Sequence, residues 1–307
     1  MANGFVQMSA ADPGSGMGEE PPFAFTVDVE EYFQVAAFAG VISRTDWEAL
    51  PSRVEEGLAV LTALLDEAGV CATFFVLGWV AERHGSRIRA LAEAGHEIAL
   101  HGYDHRPVFS MTEAAFRRDL RRARAVVEDA AGVPVTGYRA PSFSIDERTP
   151  FAHRVLMEEG FAYSSSVFPG KTDLYGMADA PRRPYRPLPD APDFWEIPVP
   201  TLRIAGRNWP WGGGGYYRLM PDALYEWGVR RLVAAGQPVF FYCHPWECDP
   251  DQPRVAAPLK SRFRHYLGLK RMARRLRHLL RRHPWGRMDA LLATWREKPS
   301  LIQEGEA

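Results

Sequence analysis

Seven short apolar runs recur along the chain, and the stretches between them carry helical periodicity; no other feature constrains the fold as tightly. The runs are FAFTV at 23–27, CATFFV at 71–76, HEIAL at 96–100, VTGYR at 135–139, FAYSS at 161–165, WEIPV at 195–199 and VFFYC at 239–243. Strand-sized runs joined by helix-length connections imply parallel pairing, because a parallel neighbour needs a long crossover. The expected class is therefore α/β, a distorted (β/α) barrel of about seven parallel strands with a C-terminal helical extension. A doubly wound open sheet is the alternative, but no G-x-G-x-x-G follows the first run.

Helix boundaries follow from capping chemistry. Ser52 with Glu55 predicts a capping box opening a helix through Leu58, Leu61, Leu64 and Leu65, closed by Gly69. Ser110 with Glu113 predicts another, carrying Arg117, Arg118, Arg121 and Arg122 and ending near Gly132. Further helical patterns lie near 79–94, 146–159 and 221–235, followed by Gly95, Gly160 and Gly236.

Residues 1–22, rich in Gly, Pro, Ser and acidic side chains, are expected to form a disordered lead-in. Residues 23–258 form the barrel unit and 259–307 a basic helical extension. Within the extension, residues 260–283 place Leu269, Met272, Leu276 and Leu279 on one face and many arginines on the other. That pattern suits a basic helix packing its leucines on the barrel, with peripheral membrane contact as the alternative.

The formal net charge of −1 gives no global attraction to nucleic acid. No run of 18 apolar residues and no basic head with an apolar run is visible, so a cytoplasmic location is the default expectation. Cys71, Cys243 and Cys248 lack disulfide or zinc-ribbon spacing and read as reduced, mostly buried thiols.

In barrels of parallel strands, chemistry collects where strands give way to loops. Those positions hold Asp28, Glu30 and Glu31 after the first run, His101 and His105 after the third, Arg139 after the fourth and His244 after the last. The two histidines in HGYDH are four apart, a spacing that on a helical turn points both imidazoles at one divalent ion. Asp28 and Glu30, two apart, share a face if the strand continues, one available as a base and the other as a ligand. Asp104 is a weaker ligand candidate, and Glu31 reads better as a capping carboxylate. Arg139 either holds Asp28 ionised or makes a structural salt bridge. In NWPWGGGGYYR, Trp209, Trp211, Tyr216 and Tyr217 suit faces on which sugar rings stack, or simply an aromatic packing loop.

Taken together, these segments resemble the polysaccharide deacetylase family, also called the NodB-homology domain or carbohydrate esterase family 4, over roughly residues 23–250. TVDVEE at 26–31 is similar to T-F-D-D-G, HGYDH at 101–105 to H-S/T-x-x-H, RAPSF at 139–143 to R-x-P-Y, and FFYCH at 240–244 to the last motif, ending in L-x-H. The resemblance implies a metal-dependent hydrolase that removes N-acetyl groups from amino sugars. By that likeness His101 and His105 hold a divalent metal, zinc being expected, Asp28 is the base, and Arg139 orients it. The backbone N–H of Ser142 faces the oxyanion, and His244 protonates the leaving amine. The family's second Asp is Val29 here, so Glu30 is the expected third ligand. TVDVEEYFQV, the WPWGGGGYYR segment and FYCHPWECDPDQPR are similar to the subgroup associated with exosortase-linked loci, which implies a bacterial exopolysaccharide substrate. The competing readings are a deformylase or other amidohydrolase on a lipid-linked amino sugar, and a catalytically silent glycan-binding barrel.

Overall fold

Strand β1 (Phe23–Val29) separates the inside of the molecule from the outside. With the two-residue period of a strand, Phe23, Phe25, Val27 and Val29 join the outer core layer, while Ala24 belongs to the inner cluster and Thr26 and Asp28 meet a buried guanidinium there. The computed structural model describes residues 23–172 and 175–297; the lead-in at 1–22 and residues 298–307 of the extension lie outside them.

Helix α1 (Val54–Ala68) leads to β2 (Thr73–Val76), α2 (Gly78–Arg83) and α3 (Gly85–Glu93) to β3 (Glu97–Leu100), and α4 (Glu113–Ala131) to β4 (Gly137–Tyr138). Helix α5 (Ala152–Glu158), β5 (Tyr163–Ser164) and β6 (Trp195–Glu196) follow. The antiparallel pair β7 (Thr201–Ile204) and β8 (Arg207–Pro210) precedes α6 (Gly214–Leu219), α7 (Asp222–Ala234) and β9 (Val239–Cys243). The chain then runs through α8 (Leu259–Tyr266), α9 (Leu269–Leu280), β10 (Trp285–Gly286) and α10 (Met288–Arg296).

Strands β1 to β6 pair in sequence order, all parallel, and β9 pairs with β1 on its other edge. First and last strands of the repeating units thus lie side by side, as a curled barrel requires and a doubly wound sheet does not. Each of the seven apolar runs coincides with or overlaps one of these strands. Between β6 and β9 the wall is irregular: the Trp211 N–H donates to Pro200 O and the Tyr242 N–H to Gly212 O. Strand β10 lies beside Phe23 and Ala24, on the edge of β1 that β2 joins from Thr26 onward.

Helix α10 plugs the end where the strands begin. Its Met288, Leu291, Leu292 and Trp295 join the inner cluster with Phe75, Trp195 and Phe240, and its first N–H groups donate to Thr73 Oγ1 and Glu97 Oε2. The opposite rim stays open for a site. In α9, Leu269, Met272, Leu276 and Leu279 are all buried in the outer core layer, and its Arg277 and Arg281 both pair with Glu67 of α1. The apolar face of α9 is used in packing, which leaves it no such face for a lipid surface. No helix among the described residues is long and apolar enough to cross a membrane. All three thiols are free, Cys243 and Cys248 buried and Cys71 exposed.

Two capping expectations fail for a shared reason, a nearby competitor. Ser52 Oγ donates to Glu31, whose other oxygen accepts the Arg53 N–H, so a distant carboxylate caps α1 instead of Ser52 and Glu55. Ser110 Oγ donates to Pro107 O, and Thr112 caps α4 through the Ala115 N–H. The helix ends follow expectation, with Gly69 and Gly132 left-handed at φ 65° and 74°.

Helix α1 approaches the turn after β9 closely enough that a Cβ on Gly57 would fall 2.1 Å from Pro245 O. Gly57→Ala is expected to cost about 1–3 kcal/mol through overpacking, read as a lower urea midpoint with unchanged m-value. An unaltered midpoint would show that this contact does not fix the turn.

Candidate active site

The polar side chains converge at the rim because β1, β3, β4 and β9 all end there. Asp28 and Glu30 project from alternate positions of β1 and its continuation and are 3 % and 2 % exposed. Between them Val29 faces the outer core at 0 % exposure, so the carboxylate that completes the acidic pair comes from Glu30. Glu31 points away to cap α1, as a capping carboxylate should.

His101 follows β3 directly, its N–H donating to Val76 O. His101 and His105 do not lie on a helical turn; they belong to a loop in which His105 adopts φ 52°. The loop nevertheless brings their ring centroids to 5.4 Å. The Asp104 carboxylate between them pairs outward with Arg44 and Arg106, so the weaker ligand candidate is engaged elsewhere. His105 Nε2 stands 2.8 Å from Glu30 Oε2, and ligand atoms of Glu30, His101 and His105 all lie within 4.8 Å of one another.

Arg139 ties this group to the barrel. Completely buried, it donates through Nη1 to Asp28 Oδ1 at 2.6 Å and Thr26 Oγ1 at 2.8 Å, and through Nη2 to Ser165 Oγ. Its guanidinium carbon lies 4.0 Å from the centre of the Phe75 ring. Its own carbonyl sits 2.8 Å from His101 Nδ1, which fixes that ring and directs Nε2 toward the cavity.

His244 closes the constellation from β9. Its Nδ1 is 2.9 Å from Glu247 Oε1, so Nε2 faces Glu30 Oε1 at 3.5 Å and Asp28 Oδ2 at 4.0 Å. Beneath it, Arg218 Nε approaches Glu247 Oε2 at 2.7 Å without forming an aligned hydrogen bond, an ion pair with both partners buried. Arg218 also donates to the carbonyls of Arg264, His265 and Leu267, which anchors it to α8. Gly214 makes room for this arrangement, since a Cβ there would stand 2.6 Å from Glu247 Oε1. Trp246 stacks on His244 and donates from Nε1 to Glu30 Oε1 at 3.1 Å.

Electrostatics set Glu30, His101 and His244 apart. Burial works to raise the Glu30 carboxyl, but His105 and then His244 overcome it and hold it at about 2. Burial pushes His101 down to about 4, so its imidazole is neutral and able to ligate. Burial also acts to lower His244, yet Glu30 and Glu247, with Asp28, push it up to about 9. A charged His244 and a neutral His101 share one cavity.

Asp28, Glu30, His101, His105, Ser142 and His244 line a cavity of 230 Å³, together with Tyr175, Tyr242 and Trp246. Ser142 holds φ 56° at the turn after β4. The four aromatic candidates divide. Trp209 and Tyr216 are 50 % and 39 % exposed and line a neighbouring cleft. Trp211 and Tyr217 do not: they are buried in the core, with Trp211 Nε1 donating to Tyr225 O and the Tyr217 hydroxyl to Arg275 O. Neither ring can receive a sugar. Trp246, Glu247 and Arg218 carry no assignment from the sequence alone; the available signal was H-P-W-E, which sets a carboxylate one turn beyond His244.

Removing one member of a buried ion pair costs about 3–5 kcal/mol, whereas replacing both costs far less. Arg218→Met is therefore expected to destabilise the fold by about that amount, and Arg218→Met with Glu247→Gln to recover much of it. Urea unfolding of the four-membered mutant cycle checks this; simple additivity would rule out the pair as an energetic unit.

With the geometry established, comparison with known proteins places it. Residues 48–159 match the polysaccharide deacetylase family model, and residues 165–293 match a domain of unknown function (DUF3473). The peptidoglycan deacetylase of Helicobacter pylori is 27% identical over 158 residues, which cover 49% of this chain and 51% of that protein. The peptidoglycan-N-acetylglucosamine deacetylase of Bacillus cereus is 30% identical over 139 residues, 44% of this chain and 47% of that one. The chain thus spans about half the length of these curated relatives. Among solved structures, a Mycobacterium smegmatis protein provisionally described as a polysaccharide deacetylase superposes with TM-score 0.61 at 21% identity, over 95% of this chain and 96% of that one. An allantoinase superposes at 0.56 and 19% identity, over 94% and 98% of the two chains. At such identities the structures establish a shared fold, and over residues 48–159 the chain is similar to the polysaccharide deacetylase family.

Proposed function

We propose that this protein is a metal-dependent hydrolase that removes N-acetyl groups from amino sugars of a bacterial exopolysaccharide. The observation that carries this reading is the meeting of two imidazoles and a carboxylate with an Arg-bound Asp28 and a Glu-bound His244 around one cavity. The names of the curated relatives, both deacetylases of peptidoglycan, support the same reaction class.

The donor set fits a divalent cation. Glu30 Oε2 is buried without an aligned hydrogen bond, beside two ring nitrogens of residues 2 % and 7 % exposed. Two histidines and a carboxylate, with room left for water, suit zinc. His101, His105 and Glu30 would hold the ion, which when bound lowers the pKa of a coordinated water and polarises a carbonyl.

The chain's own groups supply the rest. Arg139 occupies Asp28 Oδ1, so Oδ2 is the oxygen left to accept a proton from the attacking water. Glu247 occupies His244 Nδ1, so Nε2 is the atom from which the departing amine takes its proton. Trp246 and His244 fix Glu30 Oε1, which leaves Oε2 for the histidine side. The turn at Ser142 borders the same cavity, where its N–H would face the developing oxyanion. A silent glycan binder would need neither an oriented base nor an oriented acid, which favours the catalytic reading.

Purified protein is expected to hold one transition metal per chain by elemental analysis, and His101→Ala to lose it. Asp28→Asn is expected to lower kcat for acetate release by about 10²–10⁴ while leaving the metal in place. Full acetate release after chelation would overturn the mechanism; release of formate from lipid-linked amino sugars, with none of acetate, would favour the deformylase.

A further inference from the structure

We infer that His265 of α8 is a positioning residue for the cation site: its ring, held by Gln252, fixes the Trp246 indole, and the indole in turn holds Glu30 in one orientation. The inference rests on the reading of Glu30 as a cation ligand. It goes beyond that reading, because it makes a helix with no residue in the cavity wall responsible for the geometry of a ligand.

Glu30 meets His105 through Oε2, while its Oε1 accepts the Trp246 indole N–H at 3.1 Å. A glutamate carboxylate turns readily about its last bond, which would exchange the two oxygens. The orientation therefore lasts only while the indole itself stays in place. Two imidazoles lie nearly parallel to that indole: His244 at a centroid distance of 5.0 Å and 19° between planes, and His265 at 4.1 Å and 16°. His244 borders the cavity, with a side chain 20 % exposed. His265 is 2 % exposed and is the nearer of the two, so it is the fixed plate against which the indole rests.

Gln252, itself 2 % exposed, holds that plate. Its Nε2 donates to the carbonyls of Trp246 and Asp249 at 2.6 and 2.8 Å, which leaves Oε1 to face His265 Nε2 at 2.6 Å. A carboxamide oxygen only accepts, so the His265 Nε2 carries the proton. One carboxamide thus ties together the Trp246 backbone and the ring stacked on the Trp246 side chain. Phe38, fully buried, lies 4.5 Å from the same imidazole and belongs to the short turn Ala36–Phe38, whose Ala36 borders the catalytic cavity. Burial, with Arg218 nearby, pushes His265 down to about 3, so the plate is neutral and adds no charge beside the cation site.

Trp246, Gln252 and His265 all lie within residues 165–293, the match to the domain of unknown function, whereas His101 and His105 lie within the family-model match at 48–159. The C-terminal segment thus supports the cation site from behind, through Glu30, without supplying a ligand of its own. Arg218 secures this support to the acid side, since it holds the His265 carbonyl at 2.7 Å and pairs with Glu247.

Zinc affinity of the full chain, read by competition with a chromophoric chelator, tests this without any activity. Trp246→Phe keeps a ring but removes the indole N–H, and is expected to weaken binding about 10–100-fold. His265→Leu fills the space without a flat ring and is expected to weaken it about tenfold, while His265→Phe stays within about twofold of the wild type. Because His265 acts through the indole, Trp246→Phe with His265→Leu is expected to bind zinc no more weakly than Trp246→Phe alone. Wild-type affinity in a folded His265→Leu, or losses that add in the double variant, would overturn the inference. The metal-free chain gives a second readout by NMR: solvent exchange of the Trp246 indole N–H, assigned by its disappearance in Trp246→Phe. That exchange is expected to be at least about tenfold faster in His265→Leu and unchanged in His265→Phe; equal exchange in His265→Leu and the wild type would count against the clamp. Gln252→Leu, expected to speed the same exchange, replaces His265→Leu if that variant does not fold, and an unchanged rate there overturns the inference equally. A wild-type chain that binds no zinc, with an indole still freed in His265→Leu, would remove the cation reading and leave the positioning of Trp246 standing.

Discussion

Arg139 makes four side-chain hydrogen bonds inside the barrel, and the site depends on where it sits. A guanidinium at 0 % exposure is tolerable only with a carboxylate and further acceptors around it. Here Asp28, Thr26 and Ser165 supply them, while four aromatic rings surround its carbon within 6 Å. The same residue's carbonyl sets His101. One side chain and its backbone therefore couple the Asp28 carboxylate on β1 to the first imidazole after β3, through a residue that immediately follows β4.

A second coupling runs through the C-terminal half. Arg218 follows the glycine-rich segment, whose Gly214 admits Glu247, and Glu247 turns His244 so that Nε2 faces Asp28 and Glu30. Trp246 reaches from the turn after β9 back to Glu30 across 216 positions of sequence. The residues that match the family model carry the histidine pair and Arg139. The residues that match the unassigned domain carry His244 and its partners Glu247 and Arg218. Neither half contains a complete site.

Strands β1 to β6 and β9 were legible because each coincides with a largely buried apolar run, and even the two-residue strands β4, β5 and β6 lie inside longer runs; the partly exposed pair β7 and β8 and the short β10 carry no such run. The convergence of Asp28, Glu30, His101, His105, Arg139 and His244 followed from strand ends and two-residue alternation. What could not be read was side-chain direction in irregular backbone. Trp211 and Tyr217 differ from Trp209 and Tyr216 only in which way the loop and α6 turn them, and composition is silent on that. Ser52 lost to Glu31 because local pattern cannot see a carboxylate some twenty residues away, and Ser110 lost to Thr112 because its hydroxyl is taken by Pro107 O. Glu30 as the acidic partner was visible in D-x-E; the indole that holds it was not, since Trp246 reads equally well as core.

The proposed cation site is completed by Glu30, standing beside Val29, with His101 and His105. Anomalous diffraction at the zinc edge, on crystals grown with zinc, tests it directly. A single strong peak is expected at roughly 2.0–2.2 Å from one ring nitrogen of each histidine and one oxygen of Glu30, on the wall of the cavity shared with Asp28. A peak coordinated by Asp104, or a pair of histidines that stays empty while Glu30 remains bound to His105 alone, would contradict it.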